Sequence, residues 1–109
     1  MNRIPESDWK KLRAMKDDMI NDACERILAK AESVIADRSK GSHGAYLALW
    51  QLLNTEDDQI ALMFDDFKRS TAIFKLAAWK RHGLISDAAL SEFSEGTREE
   101  VRAITRTRR

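Results

Sequence analysis

Helix breakers are scarce in this chain: one proline and four glycines in 109 residues leave long tracts that nothing interrupts. Alternation of β-branched and polar residues is missing as well, so no sheet is expected. Together these absences predict an all-α fold in a chain the size of one domain, residues 1–109, with frayed ends at 1–6 and 105–109. Cys24 is the only cysteine, which excludes an internal disulfide and a secreted disulfide scaffold. No apolar run approaches the ~18 residues a membrane helix needs, and the opening MNRIPESDWKK has no signal-peptide core. A cytoplasmic location away from the membrane is the expectation.

Charge of one sign is lacking too. Nineteen Lys and Arg face eighteen Asp and Glu, a formal net charge of +1. The balance holds locally, with nine basic against eight acidic side chains in residues 1–40 and five against five in both 41–83 and 84–109. Domains that live on phosphate contacts usually carry a basic excess. The nucleotide and hydrolase motifs G-x-S-x-G, G-x-G-x-x-G, H-E-x-x-H, the P-loop and paired C-x-x-C are all absent. Asp17–Asp18, Asp57–Asp58 and Asp65–Asp66 are adjacent pairs without an accompanying Glu-x-x-His. Cys24 sits at the edge of an apolar stripe and His82 at a helix end, positions that packing and the helix dipole explain. Neither catalytic residues, nor a metal site, nor a cofactor is expected.

What is present is helical periodicity. Pro5, Glu6, Ser7 and Asp8 mark a helix start, and Trp9, Leu12, Met15, Met19, Ala23, Ile27, Ala31 and Val34 follow in steps of three and four. One long helix is predicted at about residues 7–38. Residues 38–44, RSKGSHG, predict the main loop, and residues 45–53, AYLALWQLL, a short helix apolar on nearly every side. Such a helix belongs in a core or at a subunit interface.

Residues 55–83 are the best-punctuated stretch. Thr55 with Glu56, Asp57 and Asp58 forms a capping signature, and Lys80, Arg81, His82 and Gly83 supply a cationic last turn and a glycine stop. A continuous long helix is predicted between them. Its apolar face is interrupted at residues 65–71, where Asp65 and Arg69 have the acid-first i,i+4 spacing of an ion pair. Asp65, Arg69, Ser70 and Thr71 are therefore candidate binding residues, in a ligand pocket or an interface. Ser86 predicts a cap for a short helix, with Ile85 and Leu90 as its staple, and Thr97–Arg98–Glu99–Glu100 a capping box for the last one.

The expected architecture is a small helical bundle: two long, roughly antiparallel helices, a short buried connecting helix and two short C-terminal helices. Wide apolar faces on two long helices with little to cover them predict a homodimer. The functional reading is a non-enzymatic protein-interaction module, a homodimeric adaptor or regulatory protein that binds itself or another protein. Trp9, near the start of a long helix, is the candidate partner anchor. A second reading is a nucleic-acid-associated regulator using Arg98, Arg102 and Arg106 on one helix face. A third is a small-ligand binder or enzyme using the polar turn at residues 65–71.

Overall fold

The computed structural model describes residues 4–106. Its elements are α1 (Glu6–Ala36), α2 (Gly41–Phe64), a single 3₁₀ turn (Arg69–Thr71), α3 (Ala72–Arg81), α4 (Asp87–Leu90) and α5 (Glu95–Arg106). No strand occurs among the described residues. The all-α expectation with two long packed helices holds, and the element boundaries differ from it in three places, two around α2 and one at the start of α5.

The first difference lies in the connection. Only residues 37–40 leave the helix, with Asp37 Oδ1 accepting the Ser39 N–H at 3.0 Å and Arg38 Nε donating to the Ile35 carbonyl. Gly41 starts α2 at φ 81°, a left-handed conformation that suits a residue without a Cβ. The predicted short helix and the first part of the predicted long one are a single element. Thr55 is not a cap but lies inside α2, and Asn54 donates from Nδ2 to the Trp50 carbonyl. Local capping signals yielded because residues on both sides of position 55 point the same way, toward α1. Lys30 Nζ meets Glu56 Oε2 at 2.8 Å, Ala23 lines one hollow with Met63, and Ile35 lines another with Tyr46. Numbers rise on one helix as they fall on the other, so α1 and α2 form an antiparallel hairpin.

The second difference is a break. The expected continuous helix stops at Phe64, and Asp66 takes a φ of 54°, a region that aspartate tolerates better than most residues. Aromatic packing accounts for the corner. Phe67 turns inward between Trp9 and Trp79, with ring centroids 5.7 and 5.8 Å away, and Phe64 lies 5.8 Å from Trp79 on another side. A straight helix would carry Phe67 around the axis and lose these contacts, each worth about 1 kcal/mol beyond burial. Thr71 secures the turn: its hydroxyl donates to the Asp66 carbonyl at 2.6 Å and accepts the Lys68 N–H.

Downstream, the expected stop at Gly83 and the Ser86 cap stand, whereas Thr97, the expected cap of the last helix, lies inside α5, which starts two residues earlier at Glu95. The Leu84 N–H bonds the Trp79 carbonyl and the Gly83 N–H that of Lys80, which is the Schellman arrangement, with Gly83 at φ 67°. Ser86 accepts the Ala89 N–H at 3.0 Å, and Ile85 and Leu90 are both buried. The start of α5 is capped from across the molecule. Asp8, 1% exposed, accepts from the Ser94 N–H, the Ser94 hydroxyl at 2.6 Å and the Thr97 hydroxyl at 2.6 Å. Burial pushes its carboxyl up, but these three donors and the Lys11 ammonium outweigh burial and hold it below the ordinary value.

The core unites Leu12 and Ala23 of α1 with Met63 and Phe64 at the end of α2, then α3, α4 and α5 around Trp79, Leu76, Phe93 and Val101. This is the head. Between residues 24 and 62 only Ala31 and Ala45 are buried. The distal part of the α1–α2 hairpin therefore projects as an arm. The molecule measures 52 × 28 × 25 Å and its radius of gyration is 16.5 Å, against about 13 Å for a compact chain of this length.

Candidate interaction surface

The arm owes its surface to composition. Residues 41–53 contain no Asp, Glu, Lys or Arg, whereas 34% of the whole chain is charged. Along α2, Ala45 is buried against α1, and Leu49, Leu52 and Ile60 are half-buried on the same side. That leaves the other side to larger groups. Tyr46 is 63% exposed and Trp50 59%, with Leu47 and Leu53 exposed beside them. Tyr46, Trp50, Leu53 and Asp57 follow in steps of four, three and four, the spacing of a helix-packing seam. On α1, Leu28 and Ile35, seven residues apart, are exposed as well.

Of the grooves between the arm helices, two flank the exposed residues of α2. One, of about 430 Å³, is lined by Cys24, Ile27, Leu53, Asn54, Glu56, Asp57 and Ile60. The other, of about 270 Å³ and nearer the tip, is lined by Ile35, Arg38, Ser42, Ala45, Tyr46 and Leu49. Because Leu49 and Leu53 are one turn apart, the grooves lie end to end on one side of the hairpin. Apolar side chains line much of them; toward the head stand Glu56, paired with Lys30, and Asp57, unpaired among the described residues, and at the tip stands Arg38. Six large apolar side chains, each about half exposed, amount to a face on the order of 600 Å², the upper end for a monomer's largest patch. Leu62 and Phe74 are the other large apolar residues exposed among those described, and both sit on the head.

The residues singled out in the sequence are dispersed. Asp65 and Arg69 do not share a helix, and the expected pair between them is replaced. Arg69 reaches the N-terminal segment, donating to the Ile4 carbonyl at 2.9 Å and to Glu6 Oε1 at 2.8 Å. Asp65 is exposed at the end of α2, Ser70 is exposed, and Thr71 holds the corner. Trp9 is half-buried, packed on Phe67 with the Arg13 guanidinium 5.7 Å over its ring. The tryptophan with an open face is Trp50. Periodicity does not say which tryptophans meet in a core; the uncharged run around Trp50 was the available signal for its exposure.

Of the arginine face, Arg98 and Arg102 line a hollow of about 240 Å³ with Lys80, and Asp87 shares it. Arg98 Nε donates to the Phe93 carbonyl, which commits part of that guanidinium to the turn between α4 and α5. Arg106 is exposed at the last turn of α5; Arg108 and Arg109 lie outside the described residues. Among the described residues no group of three His, Cys, Asp or Glu is placed to hold a metal ion, and no helix is long and apolar enough to cross a membrane. Comparison with known proteins finds no matching family, no matching curated protein and no matching solved structure.

Proposed function

We propose that this protein is a non-enzymatic interaction module of the cytoplasm, an adaptor or regulatory protein that self-associates through its helical arm. The observation that carries this reading is the exposed, charge-free face centred on Trp50. Burying alanines alone contributes little, and the arm's only buried side chains are Ala31 and Ala45. A hairpin so thinly packed gains most of its stabilisation from whatever covers the opposite side. Tryptophan and tyrosine at the centre of such a face are the residue types that dominate binding energies. Charged residues are depleted at interface cores, as they are here.

Sedimentation equilibrium of the full chain tests the proposal. A dimer is expected, and Trp50→Ala should raise its dissociation constant by about 30-fold or more, the scale of a hot-spot truncation. A wild-type chain that remains monomeric at high concentration would remove the reading.

A further inference from the structure

We infer that two copies pair arm against arm in antiparallel fashion, closing a four-helix bundle with Trp50 at the two-fold axis. This rests on the self-association reading and specifies its geometry. An antiparallel helical hairpin with one open apolar side is half of such a bundle, and a second identical half completes it at a crossing near 20°. The area suits the role. A face on the order of 600 Å² together with its rim approaches the roughly 800 Å² per partner of a stable interface.

Charge decides the direction. Trp50 is one turn beyond Tyr46 and one turn short of Leu53, so it stands midway along the seam. Arg38 lines the tip groove with Tyr46, and Asp57 lines the inner groove with Leu53. Neither belongs to an ion pair among the described residues, which are Lys30–Glu56, Lys68–Asp66 and Arg69–Glu6. An antiparallel pairing about Trp50 sets the Arg38 end of each copy against the Asp57 end of the other, twice per dimer. A parallel pairing sets Arg38 against Arg38 and Asp57 against Asp57. Like charges across an interface are penalised, and opposite ones fix register. Antiparallel arms also send the two heads to opposite ends of the bundle, where their greater width does not collide.

The test is charge reversal in the full chain, read by sedimentation equilibrium, with far-UV circular dichroism as the check that each variant is folded. Arg38→Asp and Asp57→Arg each place two like-charge pairs in an antiparallel dimer, and each should raise the dissociation constant about tenfold. The double variant restores two opposite-charge pairs and should return to within about threefold of the wild type. Any damage to the turn from losing the Arg38 bond to the Ile35 carbonyl is carried by the double variant too, so recovery reports the contact between copies. A wild-type dimer that neither single variant weakens would overturn the antiparallel register while leaving self-association in place. Weakening by both without recovery in the double variant would overturn it as well. A wild-type monomer would end both this inference and the reading beneath it.

Discussion

The head and the arm are built from similar residues and put them to opposite use. Trp79 in the head has no exposed surface, packs against Phe64 and Phe67, and donates from Nε1 to the Met63 carbonyl at 3.3 Å. Trp50 in the arm is 59% exposed. One tryptophan holds the chain together, and the other is displayed. The difference is one of enclosure. α1, α2, α5 and the corner at residues 65–68 pack around α3 and enclose Trp79, whereas Trp50 lies on a two-helix layer whose second side no other described residue covers. A two-layer unit forms a core only where both layers are present. The head supplies both; the arm supplies one.

Paired substitutions sharpen this comparison. Trp79→Ala should have the largest effect, a loss of about 3–5 kcal/mol in urea unfolding, because it opens a cavity beneath two aromatic rings. A loss below 1 kcal/mol there would show that the head is not the stable part.

Asp8→Asn comes next. It replaces an acceptor serving three donors with an amide whose NH₂ opposes them, at a cost of about 2 kcal/mol near neutral pH. The pH dependence has a definite sign. The folded carboxyl titrates below its ordinary value of 3.8, so its contribution is fully present above that pH and is lost as pH falls through the folded value. The gap between wild type and variant should therefore be constant from pH 7 to about pH 5 and close under more acid conditions. A gap that widened on acidification would contradict the hydrogen-bonded, ionised Asp8 described above.

Arg69→Ala should cost about 1 kcal/mol and leave the chain folded, since its ion pair with Glu6 is partly exposed and only the first residues of the structure depend on it. Proteolysis near Ile4 should speed up. Global unfolding would mean that the N-terminal clasp stabilises more than the first turn.

The smallest effect on the isolated chain is expected from Trp50→Ala: within about 0.5 kcal/mol at concentrations below dimerisation, as for an ordinary surface substitution. The same variant should shift the concentration dependence of the melting temperature, which mass action requires of a dimer, to concentrations about 30-fold higher than for the wild type. A large destabilisation of the monomer would place Trp50 in the chain's own packing and dissolve the contrast between arm and head.

Much of the fold is legible in the residues. Scarce glycine and proline, the three-and-four stepping of α1, the stop at His82 and Gly83 and the Ser86 cap are local features, and local features survive folding when nothing opposes them. Thr55 shows what opposition does. Its capping signature is as good as that of Ser86, but positions 45–53 and 60–64 share one phase toward α1, and continuity buries more than a cap would satisfy. The corner at residues 65–68 was concealed differently. Asp65 and Arg69 have the spacing of a helical ion pair, and the aromatic sandwich that favours the bend joins Trp9, Phe67 and Trp79, which are far apart along the chain.

The candidate surface was half legible. A charge-free helix in a charge-rich chain announces burial, either in a core or under a partner, but not which of the two. That depended on whether the remaining elements have the length and direction to cover it. After Phe64 the chain turns back at the corner, and α3, α4 and α5 pack around the base of the hairpin instead of along it. The helical character of the chain, the stop at Gly83, the Ser86 cap and the apolar stripes were determined by the sequence itself, because propensity, capping and periodicity act within a few residues. Which stripe became a core and which stayed open was decided by the tertiary structure, because enclosure is a property of where distant elements end up.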